Sequence, residues 1–111
     1  MDGTTKESIA TMLACYKSCT RTILHCLEMG GEHAGPQHIN LLMDCAKICE
    51  VAADFAIRGS ANHPALCGLC ADICRQCAEQ CEEMAEGDEQ MQKCAEACRQ
   101  CAEACGRMSQ Q

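Results

Sequence analysis

Cys67, Cys70, Cys74, Cys77 and Cys81 recur at alternating steps of three and four residues. At roughly 100° per residue, an α-helix gathers such a set within an arc of about 80°, so one face of the helix is sulfur. The alternation returns at Cys94, Cys98, Cys101 and Cys105, while Cys15, Cys19 and Cys26, and the pair Cys45 and Cys49, keep steps of four or seven. Apolar residues at this spacing form the seam that a helix buries against its neighbours. Four segments therefore carry a buried stripe, and the stripe is made of thiols.

The breaks between stripes define the elements. A first helix is predicted from about Thr5 to Glu28, capped by Thr4 or Thr5, and stopped by Gly30 and Gly31. The segment Gly31 to Gln37 reads as a loop with Gly35 and Pro36. A second helix follows from about Gln37 to Arg58, ended by Gly59, Ser60, Ala61 and Asn62. Pro64 suits the first turn of a third helix, His63 to Glu86, and Gly87 ends it before Asp88 caps a fourth reaching about Met108. Connections this short make successive helices antiparallel. The predicted fold is all-α: an up-down-up-down antiparallel four-helix bundle with a cysteine-lined core, one domain over residues 1–111, about 30 Å long. The run from Cys70 to Glu79 parallels that from Cys94 to Glu103, an internal echo of one helix in the next.

Composition narrows the chemistry. Leu, Ile, Val and Phe are scarce and Trp is absent, whereas Cys numbers 14, so the core must be built largely from Ala and Cys. Such a core buries modest apolar area, which leaves room for a bound ligand or self-association to add stability. The net charge of −7 and the lack of a basic patch argue against nucleic-acid binding. No apolar run approaches the length of a membrane span, and Met1 to Ser8 lacks the pattern of an export signal. The expectation is a cytoplasmic protein whose thiols stay reduced, which points to metal binding over a disulfide scaffold.

Steps of four place two sulfurs one turn apart, as in Cys15 and Cys19 or Cys101 and Cys105, where they can clamp one ion. Soft thiolates select Cu(I), Zn(II) or iron–sulfur clusters. Zinc and clusters call for discrete sets of four ligands, whereas this chain offers a continuous ladder. Cu(I) accepts two thiolates, and with each sulfur bridging two ions the capacity approaches about one ion per thiolate, with cancelling charge. An iron–sulfur electron-transfer protein and a zinc-thiolate store remain the alternatives. The arrangement offers no nucleophile, base and oxyanion set, so an enzyme is not expected.

Other soft donors gather where the first two helices join. His38 lies seven residues before Cys45 and Met29 three after Cys26, and His25, Met43, Met84 and Met91 belong toward the same end. These are candidates to receive Cu(I) and pass it inward. His33 is expected to be a solvated loop residue and His63 a cap-region residue. At the opposite end Leu13, Tyr16, Ala52, Phe55, Ala56, Leu66 and Leu69 are expected to plug the bundle.

The succession His25-Cys26-Leu27, Gly30-Gly31-Glu32-His33, Asp44 to Cys49, Ala53-Asp54-Phe55, Arg58-Gly59-Ser60 and Cys67-Gly68-Leu69-Cys70-Ala71 through Cys81 resembles the cytosolic copper storage proteins over nearly the whole chain. The resemblance implies multiple Cu(I) ions held inside the bundle, no ordinary catalysis, a homotetramer, and His25 near an open end. A copper chaperone as donor and cuproenzymes as recipients fit such a role. Thr22 and Ala52 sit where further cysteines would continue the stripes, leaving gaps in the first two helices.

Overall fold

The computed structural model describes residues 2–111; Met1, the first residue of the segment read for an export signal, lies outside them. The described residues form four α-helices, α1 (Gly3–Met29), α2 (Pro36–Ile57), α3 (His63–Ala85) and α4 (Glu89–Met108), with one 3₁₀ turn at Gly31–Ala34. Each helix packs against two others in a ring, α1 on α2 and α4, α3 on α2 and α4. Short connections make all four neighbours antiparallel. The molecule measures 42 × 21 × 18 Å, longer than expected because α1 alone has 27 residues, about 40 Å of helix.

The helix ends correct several expectations. Asp2, not Thr4 or Thr5, caps α1: its carboxylate accepts the Thr5 N–H at 2.8 Å. A carboxylate satisfies an orphan N–H and also opposes the helix dipole, so it competes well against a threonine further in. The predicted loop after α1 contains the 3₁₀ turn, and α2 begins at Pro36. At the third break Glu86 (φ 35°) and Gly87 (φ 84°) are both left-handed, so α3 ends at Ala85. Asp88 caps α4 as expected, accepting the Met91 N–H at 3.0 Å.

All fourteen cysteines are buried, none more than 1% exposed, among the alanines Ala46, Ala52, Ala53, Ala71, Ala78, Ala95 and Ala102. The far end is closed differently from expectation. Leu13 and Leu69 point outward, 36% and 51% exposed, and the plug is made by Ile9, Met12, Ala52, Ala56 and Met108, with Tyr16 and Leu66 packed against it. Met12 stands three residues before Cys15 and Met108 three after Cys105, so both extend a sulfur stripe by one further step. Leu13 and Leu69 are off the stripe by one residue and turn away from the axis.

Candidate metal centre

The antiparallel ring brings sulfurs from all four helices onto one axis. From α1, Cys15 and Cys19 meet α4: Cys15 Sγ lies 3.8 Å from Cys98 Sγ, and Cys19 Sγ 3.7 Å from Cys98 and 3.9 Å from Cys94. From α2, Cys45 reaches Cys74 at 3.7 Å and Cys98 at 3.9 Å. Cys49 reaches Cys74, Cys101 and Cys70, each at 3.7 Å. Along the helices, Cys70 to Cys74 and Cys101 to Cys105 are each 3.8 Å, the one-turn pairs expected from steps of four.

These contacts compose three four-sulfur pockets, each with its sulfurs within 4.8 Å of one another: Cys15, Cys19, Cys45 and Cys98; Cys15, Cys45, Cys49 and Cys74; and Cys49, Cys70, Cys74 and Cys101. Four sulfurs at about 2.3 Å from a tetrahedral metal are separated by about 3.8 Å, which is the spacing seen here. The middle pocket shares Cys15 and Cys45 with the first and Cys49 and Cys74 with the third. The pockets are therefore fused through common sulfurs.

Hydrogen bonding runs through the same network. The Cys45 thiol is pushed below the ordinary thiol range by hydrogen bonds from Cys15 and Cys19, whereas Cys98 is pushed above it by its hydrogen bonds with Cys15 and Cys19 and by burial. Cys81 is raised through Cys77 and Cys94, and Cys67 is lowered through Cys105, so the ladder continues beyond the pockets toward both ends. The protons of such a network are shared between sulfurs, and a thiophilic cation displaces them as it binds. Thr22 and Ala52, the gaps in the stripes, are both fully buried. Thr22 donates to Ser18 O at 2.7 Å and accepts from Gln90 Nε2 at 3.0 Å.

Cys26 stands apart from the pockets. Its Sγ lies 3.4 Å from Met91 Sδ, 3.4 Å from His38 Nε2 and 4.0 Å from His33 Nδ1. Burial pushes its thiol up to about 11, with the Asp88 carboxylate adding to the effect. His38 is buried, and its Nδ1 donates to Gln80 Oε1 at 3.1 Å, which leaves Nε2 facing the thiol as an acceptor. A cavity of about 400 Å³ lined by Glu32, Gln37, His38, Gln80 and Met84 opens beside it.

The remaining sequence candidates are placed as follows. His25 stands at the rim, its Nε2 2.8 Å from Asp88 Oδ2. The Met91 N–H, then His25, hold the Asp88 carboxyl below the ordinary carboxylate range. Met29, read as a ligand from its position three residues after Cys26, is 53% exposed at the last residue of α1. Met43 is likewise 54% exposed. The thioether in contact with Cys26 is that of Met91 on α4, whose sequence signal was its place three residues before Cys94. His33, expected in solvent, is held near Cys26 by the 3₁₀ turn. His63 bonds Ser60 O at 2.8 Å in the turn before α3, as its cap-region position suggested.

A four-helix bundle with a fused ladder of buried thiols along its axis defines a protein built to hold several soft metal ions together. Its sequence matches the model of the copper storage protein (Csp) family over residues 1–110, and the chain belongs to that family. Among solved structures it is similar to the Nmul_A1745 protein of Nitrosospira multiformis, 40% identical over 99% of this chain and 98% of that one, with a TM-score of 0.92. It is also similar to the Cu(I)-bound copper storage protein BsCsp3, 33% identical over 96% and 98% of the two chains, TM-score 0.87. The apo form of Csp3 from Bacillus subtilis gives a TM-score of 0.84 at 34% identity, over 94% and 97%. The cysteine-rich protein YhjQ of B. subtilis (strain 168) is 33% identical over 73 residues, 66% of this chain and 68% of that protein.

Proposed function

We propose that this protein is a non-catalytic store of Cu(I), taking up many ions through the thiolates of Cys15, Cys19, Cys26, Cys45, Cys49, Cys67, Cys70, Cys74, Cys77, Cys81, Cys94, Cys98, Cys101 and Cys105. The sharing of sulfurs between pockets carries this reading. Isolated zinc sites need four thiolates each, and divalent ions in fused pockets would leave net charge in a dry core. Cu(I) at about one ion per bridging thiolate leaves the core neutral. The Cu(I)-bound relative supports the same choice of ion. A reducing compartment such as the cytoplasm suits a store whose fourteen cysteines are unpaired, and among the described residues no helix is long and apolar enough to cross a membrane.

The deciding experiment is an anaerobic titration of the reduced apo protein with Cu(I) against a chromophoric chelator. A plateau of about ten or more ions per chain is expected; about one to four would overturn the reading in favour of a few discrete sites.

Entry belongs at the end carrying His25, His33, His38 and Met91, since the other end is filled by Met12 and Met108. Replacing His25 and His38 together slows Cu(I) uptake while leaving most of the final capacity; an unchanged stopped-flow rate would refute the assignment. Apolar surface on α1 and α2, where Leu27 and Met43 line one groove, suits self-association as a homotetramer, which sedimentation velocity tests. A copper chaperone would then deliver at the free mouth.

A further inference from the structure

Cys26, His33, His38 and Met91 together are a different kind of site from the ladder beneath them. The three thiol pockets exclude Cys26, and its sulfur contacts instead two imidazole nitrogens and a thioether. A thiolate, two imidazoles and a weak thioether are the donors of electron-transfer copper sites, where one protein environment serves both Cu(II) and Cu(I). In such a site, copper at about 2.0 Å from nitrogen and 2.2 Å from sulfur separates the two by about 3.7 Å. The observed separations of 3.4 and 4.0 Å lie on either side of this value, and the two imidazoles, which do not converge with Cys26 within 4.8 Å, close on the ion as it binds. Gln80 sets the His38 tautomer from outside, as an outer hydrogen-bond partner does for a metal-bound imidazole.

We propose that Cys26, His33, His38 and Met91 form a mouth site that captures Cu(II), and that the thiols below reduce it to the Cu(I) the store retains. The proposal rests on the Cu(I)-storage reading for the fate of the reduced ion. The chemistry balances without an outside reagent. Two Cu(II) ions each gain one electron, two thiols lose one electron and one proton each, and one sulfur–sulfur bond forms with release of two protons. Suitable pairs lie in the ladder about two helical turns beneath the mouth, Cys19 and Cys98 with sulfurs 3.7 Å apart among them. The conversion is stoichiometric, because every Cu(II) reduced consumes one thiol. A store fed only Cu(II) therefore fills to about half, roughly seven ions per chain, as each ion spends one thiol and needs about one more as ligand.

Rapid anaerobic mixing of reduced apo protein with one equivalent of a Cu(II) salt tests this directly. The expected result is a transient, intense visible thiolate-to-Cu(II) charge-transfer band that decays as one free thiol is lost per copper. Cys26→Ser abolishes the band and slows the decay by about tenfold or more, while its Cu(I) plateau falls by only about one or two ions, which certifies the fold. Met91→Leu keeps the band but moves its energy, as loss of a weak axial ligand does. No band in the parent, an identical band in Cys26→Ser, or reduction at the parent rate in that variant would overturn the mouth site. With the Cu(I) plateau high, those results leave storage standing; a low Cu(I) plateau is the separate failure of the storage reading.

Discussion

The α1–α2 hairpin and the α3–α4 hairpin are built from the same kind of stripe and end up with different tasks. The α3–α4 half holds nine of the cysteines, from Cys67 to Cys105, and makes the most extensive contact of any helix pair. Its buried residues immediately after a cysteine are small: Ala71, Ala78, Ala95 and Ala102. The α1–α2 half holds five cysteines, has gaps at Thr22 and Ala52, and carries Tyr16 and Ile23 at the corresponding flank of α1. It also supplies His25, His33 and His38. Small flanking residues let helix backbones approach and crowd their sulfurs together; on the first hairpin only α2 has them, at Ala46 and Ala53. Sulfur is denser in the second hairpin, and the imidazoles near Cys26 come from the first hairpin and its connecting turn.

Filling the alanine seam attacks that contrast most strongly. Ala78→Leu with Ala102→Leu overpacks the α3–α4 contact at about 1–3 kcal/mol per site. Thermal melts of the apo protein should shift far more than for Tyr16→Ala on the other half, and equal shifts would contradict the division. Next in size is the capacity effect. Cys45→Ala with Cys74→Ala removes two sulfurs that between them serve all three pockets, so the Cu(I) plateau should drop by about three ions, against about two for Cys67→Ala with Cys105→Ala. Equal losses would mean that ions do not bridge. Filling a gap works in the opposite direction: Thr22→Cys should add about one ion and accelerate transfer from mouth to ladder, both readable in the same titration and in stopped flow.

The smallest effect concerns the rim, where Asp88 caps α4 and holds His25. Its folded-state pKa is lowered, so the carboxylate contributes stability that is complete above its unfolded value of about 3.8 and lost as pH falls through the lower folded value. The parent should therefore lose melting temperature faster than Asp88→Asn between about pH 5 and pH 3, and the variant should be weaker by about 1 kcal/mol near neutrality, as for loss of a cap. Parallel pH profiles would remove Asp88 from the account of the mouth.

Periodicity made the bundle readable, because a cysteine stripe obeys the same geometry as a leucine stripe and the breaks at Gly59, Gly87 and Pro64 have direct conformational causes. The ladder was legible for the same reason. What escaped was set by distance along the axis and by partners remote in sequence. Met29 has the right angular position yet is half exposed at the last residue of α1, while Met91 reaches Cys26 from another helix, 65 residues away in sequence. His33 is in a segment whose 3₁₀ turn gives no strong periodic signal. Leu13 and Leu69 looked like plugs by residue type, but Met12 and Met108 occupy the stripe positions.

Complete burial of the sulfurs has one more consequence, for what surrounds the protein. A peroxide molecule arriving at the flank of the bundle meets glutamates such as Glu79, Glu96 and Glu103, all on the exposed face, and finds no thiol there. Cuprous ions inside would be screened from the radical chemistry that makes loose copper toxic, and the bundle wall would serve as insulation for its contents.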